Sequence, residues 1–126
     1  MSNAALVIQI DEAIGAHGLW KMRLRSAIRS HHCDITPRQA SEDCHCKFGK
    51  WLLDPQFPSA HRDAVPHSVV RRVHAEFHRE AGKVLQLALD GQEKTAIAAL
   101  EGAFADTSEK LVRALMNWKG ELLQPA

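Results

Sequence analysis

The sequence predicts an all-α protein, a four-helix bundle with three long helices and one short or broken element that carries a cysteine ligand. Three segments place apolar residues at the three- and four-residue steps of a helix. No segment of useful length alternates β-branched and polar residues as a strand does, and tyrosine is absent. Between the first two long segments, Pro37, Pro55 and Pro58 rule out one continuous helix.

The first long helix is predicted over residues 6–30, and a short or broken region follows it. The inward stripe of this helix includes one histidine and consists of Ile10, Ile14, His17, Leu24 and Ile28. Two short helices are predicted next. One follows Thr36-Pro37, which suits an N-cap and a first helical turn, and the other covers about residues 48–53.

The second and third long helices are predicted over residues 66–89 and 92–123. Pro66 suits a first turn, and Asp90-Gly91 suits a stop between the two helices. The inward face of the second helix carries two histidines among Val70, His74, His78, Ala81, Leu85 and Ala88. The third helix has an a/d pattern, formed by Ile97, Leu100, Phe104, Ser108, Leu111, Leu115, Trp118 and Leu122.

Length, charge and composition limit the class of protein. With 126 residues the chain is expected to form one domain, which we place at residues 5–123. Residues 1–4 are expected to be a tag remnant or disordered start, and residues 124–126 a tail or the start of a linker. The net charge of +1 argues against a nucleic-acid partner.

The chain is expected to be cytoplasmic and not inserted in a membrane. No apolar run approaches the roughly 20 residues that a membrane-spanning helix needs. The short apolar stretch at residues 6–10 is followed at once by two acidic residues, which a signal peptide does not tolerate. In the cytosol the three cysteines are expected to stay reduced.

Four residues predict a metal site: His17, Cys46, His74 and His78. His74 and His78 stand at i and i+4, so one helical turn aims both imidazoles in the same direction. All three histidines fall on inward stripes, where an unpaired imidazole is costly to bury. Three imidazoles and one thiolate form a tetrahedral ligand set for zinc. Because four protein ligands leave no position for a substrate, an enzymatic role is not expected.

These pieces, taken in order, resemble the chemoreceptor zinc-binding domain family over about residues 10–122. The resemblance consists of His17 followed closely by Trp20, the segment Cys46-Lys47-Phe48-Gly49-Lys50-Trp51, and His74-x-x-x-His78. It implies a zinc-binding sensory or regulatory domain of bacterial signal transduction, in chemotaxis or cyclic-di-GMP control. It also implies a homodimer through the bundle, an attached or partner signalling output domain, and a signal carried by zinc occupancy or thiolate oxidation.

Other residues remain as rival or supporting candidates. Cys44 and His45 are rival ligands because they adjoin Cys46, and a second local cluster lies at residues 31–33. A ligating imidazole normally donates its second N–H to a carboxylate, carbonyl or water. Acidic residues close in sequence are candidates for this role, namely Asp11, Glu12, Glu42, Asp43 and Glu80.

Two competing functions share parts of this pattern. A hemerythrin-like di-iron bundle has a similar helical layout, but it needs further inward histidines and bridging carboxylates. A zinc hydrolase would carry His-Glu-x-x-His, which is absent here. Two irons per chain would favour the first alternative, and a site with three protein ligands and water would favour the second.

Overall fold

The computed structural model describes residues 2–124, and within them the regular structure is entirely helical. The all-α prediction is therefore confirmed. The helices are α1 (Asn3–Gly18), α2 (Trp20–Ser30), α3 (Pro37–Ser41), α4 (Lys47–Leu52), α5 (Ser59–Arg62), α6 (Val65–Leu89), α7 (Glu93–Ala99) and α8 (Ala105–Leu123), with a π-helical turn (Leu100–Phe104) between the last two.

The first predicted helix is divided at Leu19 into α1 and α2. Gly18, a weak helix former, ends α1, and the Leu19 N–H donates to the Ala16 carbonyl, three residues back. The start of α1 includes residues expected to lie outside the domain. The Ser2 hydroxyl accepts from the Ala5 N–H, and Asn3 Nδ2 donates to the Leu122 carbonyl.

The short elements lie where the prolines and capping residues predict them. Thr36 forms a capping box with Gln39 at the start of α3, with Pro37 in the first turn. Cys46 is the N-cap of α4. The sequence did not predict the four-residue helix α5, which follows Pro58.

Helix α6 is the central element of the bundle. It packs against α2, α3, α7 and α8, while α1 packs against α8. Its buried face agrees with the predicted stripe and extends it with further residues, namely Val73, Phe77, Gly82 and Val84. A side chain on this face of α6 is therefore surrounded by several other helices.

The third predicted helix contains a π-helical turn that changes its buried face. Gly102 departs from helical geometry, with φ −101° and ψ −105°. Because a π turn adds a residue, the residues before it are rotated about the helix axis. Ile97 is consequently 41% exposed, while Ala96 is fully buried. Beyond the turn, Thr107 replaces Ser108 on the buried face, and the remaining predicted stripe is buried.

None of the helices formed by residues 2–124 is both long enough and apolar enough to cross a bilayer.

Candidate metal centre

Two ligand candidates come from one turn of α6. His74 and His78 are almost completely buried, and their rings lie at a centroid distance of 4.5 Å. Their Nε2 atoms are 3.1 Å apart. The i, i+4 spacing therefore aims both nitrogen atoms at the same point, as the sequence predicts.

His17 reaches the same point from the last turn of α1. Its Nε2 lies 3.0 Å from His74 Nε2, and its ring packs edge-on against those of both α6 histidines. The break at Leu19 follows directly, so that Trp20 begins the next helix and its ring meets that of His78 at 5.7 Å. Trp20 thus covers one side of the cluster.

Cys46 completes the group from the start of α4. Its Sγ lies 3.3 Å from His74 Nε2 and accepts from the Gly49 N–H at 3.2 Å. The ligand atoms of His17, Cys46, His74 and His78 all lie within 4.8 Å of one another. The structure therefore brings together the four residues that the sequence singled out.

Gly49 allows α4 to approach α6 and the loop before it. A Cβ at this position would lie 1.6 Å from the Asp43 carbonyl oxygen and 3.3 Å from His74 Cε1. Any larger residue would have to push that backbone away. Glycine, which has no side chain, permits this close approach of α4.

Backbone carbonyls orient two of the three imidazoles. His17 Nδ1 donates to the Ala13 carbonyl at 2.7 Å, and His78 Nδ1 donates to the Ala40 carbonyl at 3.1 Å. Each Nε2 is then the unprotonated nitrogen, with its lone pair facing the centre of the cluster. Within residues 2–124, none of the five carboxylates considered from sequence bonds to these imidazoles. Backbone carbonyl oxygens therefore accept the imidazole N–H hydrogen bonds for which the sequence analysis considered acidic side chains.

This arrangement fits a cation better than it fits protons. A proton on His74 Nε2 can be donated to the Nε2 of either His17 or His78. The Nε2 lone pair of the other histidine would then face no hydrogen-bond donor on His74. A tetrahedral zinc with Zn–N bonds of about 2.05 Å separates its nitrogen ligands by about 3.3 Å. The observed Nε2–Nε2 separations of 3.0 and 3.1 Å are close to that value. His74 Nδ1 is buried and has no hydrogen-bond partner among the described residues.

Burial sets the protonation states of the donors. Burial, together with a smaller effect of nearby imidazole charge, lowers the pKa of His74 to about 2 and that of His78 to about 4, although the hydrogen bond to the Ala40 carbonyl opposes the decrease at His78. Burial also lowers the pKa of His17. The imidazoles are therefore neutral near pH 7 and can act as ligands. Burial raises the pKa of the Cys46 thiol, so its proton leaves readily only when a positive charge is close.

Aromatic rings enclose the cluster. Phe48 packs edge-on against His17 and His74, with ring centroids 5.8 and 5.2 Å apart. Phe77 packs against His17 from α6. Phe48 and Trp51 also join α4 to the core, so that packing helps to hold Cys46 in position.

The rival candidates lie elsewhere. Cys44 and His45 are exposed and form a separate group with Glu42, so Cys44 does not join the buried cluster. His31 is the left-handed C-cap of α2 with φ 57°, and the segment at residues 31–33 forms no metal-binding group within the described chain.

His67 is a buried residue that sequence reasoning passed over. Its Nε2 donates to the Leu52 carbonyl at 3.0 Å, and its ring packs against Trp118 and Phe57. The available signal was its place seven residues before His74, which puts it on the same face of α6.

One comparison with known proteins finds a matching family. A family model described as chemoreceptor zinc-binding domain matches residues 17–85, which is more than half of the chain and includes all four clustered residues. The match is narrower than the resemblance seen over residues 10–122. No curated protein and no solved structure matches the chain.

Proposed function

This chain belongs to the chemoreceptor zinc-binding domain family, and on that premise we propose that His17, Cys46, His74 and His78 bind its zinc ion, one per chain. Zinc is the cofactor, since the family binds it and the cluster of three nitrogens and one sulfur suits it. The observation that carries the ligand assignment is the convergence of three Nε2 atoms and one Sγ, with two imidazoles oriented by carbonyls.

The domain acts as a zinc-binding signalling module. Zinc supplies positive charge that holds Cys46 as a thiolate and cross-links its ligands. The chain's own part is to present those ligands from three separate elements, α1, α4 and α6. Loss or oxidation of one zinc ligand would therefore change how firmly α1 and α4 are held against α6.

We further propose that Cys46 is the redox-sensitive ligand. A two-electron oxidant such as hydrogen peroxide transfers one oxygen to the Sγ thiolate, and hydroxide leaves. The resulting sulfenic acid has lost the thiolate's charge and is a weaker zinc ligand. Cys46 is partly exposed and lines a cavity, which supports access for a small oxidant.

The unit that carries this function is residues 5–123, and its role is regulation of a signalling output domain, in chemotaxis or cyclic-di-GMP control. The family resemblance supports a homodimer through the bundle and an output domain attached or in a partner protein. Sedimentation of the purified chain tests the dimer, and a monomer at micromolar concentration would contradict it.

Metal analysis of single variants tests the ligand assignment. The wild-type chain should retain one zinc after gel filtration, and its anomalous signal should lie among the four side chains. Alanine at His17, His74 or His78 should lower zinc affinity by orders of magnitude. His32→Ala, which removes an exposed histidine at the end of α2, is the matched control and should retain one zinc. Full zinc retention by all three ligand variants would refute the assignment.

The chemistry of the donors argues against the two alternatives. A di-iron centre needs bridging carboxylates, and the buried group formed within residues 2–124 contains three imidazoles and a thiol. A hydrolase needs an open position on zinc, and Cys46 would fill the fourth coordination position. We therefore propose that the domain itself is not catalytic.

A further inference from the structure

A second group of potential ligands lies on the surface between α3 and α4. Glu42, Cys44 and His45 place one oxygen, one sulfur and one nitrogen within 4.8 Å of one another. Cys44 and His45 are exposed and Glu42 is half-buried, so this surface triad is open to solvent. None of the three is among the proposed ligands of the buried centre.

The triad is organised around one carboxylate oxygen. Without a metal, Glu42 Oε2 accepts hydrogen bonds from His45 Nε2 at 2.7 Å and from Cys44 Sγ at 4.0 Å. Arg38 Nε donates to the other oxygen, Oε1, at 3.3 Å. The guanidinium therefore holds the carboxylate with Oε2 turned toward the nitrogen and sulfur. Mixed oxygen, nitrogen and sulfur donors suit a borderline-soft divalent cation such as Zn²⁺ or Cd²⁺.

A cavity of about 220 Å³ links the surface triad to the buried centre. Its lining includes Glu42 and His45 from the triad, and Cys46 and His78 from the centre. Arg23 also lines the cavity, where a positive charge would repel a metal ion.

That positive charge is balanced within the structure. Arg23 pairs with Asp34 at 2.7 Å, and its guanidinium lies over the Trp20 ring. The cavity therefore extends from the surface triad to two of the proposed buried ligands, Cys46 and His78. The charge of the arginine beside it is neutralised by Asp34.

We propose that Glu42, Cys44 and His45 form an entry site that captures a divalent zinc-like cation and passes it through this cavity to the buried centre. The inference rests on the proposed function of that centre. Three protein ligands leave a coordination position for water, so the triad should exchange metal faster and bind it more weakly than the closed site.

The test compares two double variants of the full chain, freed of metal by a chelator. Cys44→Ser/His45→Gln removes two of the three triad ligands, and Cys33→Ser/His32→Gln removes an equivalent pair from the end of α2. Cadmium titration, followed by thiolate charge-transfer absorption, counts the binding sites. Stopped-flow mixing with zinc, followed by tryptophan fluorescence, measures the loading rate. Circular dichroism checks that each variant is folded.

We expect wild type and the α2 variant to bind a second, weaker cadmium equivalent. The triad variant should lose that equivalent and load zinc about tenfold more slowly, with unchanged final affinity for the first equivalent. Glu42→Gln, a single change that removes the carboxylate charge, should also slow zinc loading. A retained second equivalent, or an unchanged loading rate, would overturn the entry site. If wild type binds no tight first equivalent, the proposed function itself fails.

Discussion

The indole rings of Trp51 and Trp118 pack against each other, with centroids 6.0 Å apart. Trp51 lies on α4, and Trp118 lies near the end of α8. Phe48, on the same short helix, bridges from Trp51 to the His74 ring at 5.5 and 5.2 Å. Helix α4 is thus held at one side by the metal centre and at the other by aromatic packing on α8, and it joins the two.

Removal of zinc should loosen α4 before the long helices. Six residues bury less apolar surface than a long helix does, so α4 depends more on Cys46 as a cross-link, whereas α6 and α8 retain their packed stripes. Hydrogen exchange of zinc-loaded and chelated protein should show lost amide protection over residues 47–52. The amides of residues 105–123 are the internal control. Equal loss in both segments would argue against this coupling.

Cys46→Ala should weaken zinc binding without unfolding the bundle. The three imidazoles remain, but the negative charge of the thiolate is lost, so affinity should fall by orders of magnitude and not vanish. Hypochlorous acid or peroxide should then no longer accelerate zinc release to a chromogenic chelator. Cys33→Ala is the control and should behave as wild type. If Cys33→Ala abolished oxidant-driven release and Cys46→Ala did not, the redox ligand would be wrongly assigned.

Gly49→Ala should destabilise the domain and weaken zinc binding together. The new Cβ would overlap the Asp43 carbonyl oxygen, so α4 must shift away from α6. We expect the free energy of unfolding to fall by about 1–3 kcal/mol. Gly15→Ala is the matched control, because nothing lies within 4 Å of its Cβ position inside α1. That change should raise stability by about 0.5–1 kcal/mol. If urea unfolding gave the same change in the free energy of unfolding for Gly49→Ala and Gly15→Ala, the close approach at Gly49 would be contradicted.

Acid should destabilise the metal-free protein below the ordinary histidine pKa. Folding lowers the pKa of His74 to about 2 and of His78 to about 4, whereas the unfolded chain titrates near about 6.5. The unfolded state therefore binds more protons, and stability falls as the pH drops from about 6.5 toward 4. Each group contributes at most about 1.4 kcal/mol per pH unit.

Urea unfolding of chelated protein at several pH values measures this dependence. His78→Gln removes one of the titrating groups, so the free energy of unfolding should fall less steeply with acid than in wild type. A free energy of unfolding that stays constant between pH 7 and 5 would be incompatible with these buried neutral imidazoles.

The sequence by itself determined the helical class and singled out the four residues that form the buried cluster. Apolar spacing places His74 and His78 on the buried face of α6, because helix geometry depends on residues a few positions apart. Thr36-Pro37 and Cys46 begin short helices for the same local reason, since a cap acts within its own first turn.

Tertiary structure decided what depends on contacts between distant segments. The Ala40 carbonyl orients His78, 38 residues away, and no local pattern specifies that pairing. The π turn at Leu100–Phe104 exposes Ile97, although the spacing of this residue fits an inward stripe. A prediction from side-chain periodicity assumes a regular helix, so it fails where a π turn inserts a residue. The burial of a side chain, its hydrogen-bond partner and the face that a helix turns to the core are set by the other helices packed against it. The tertiary structure therefore decides them.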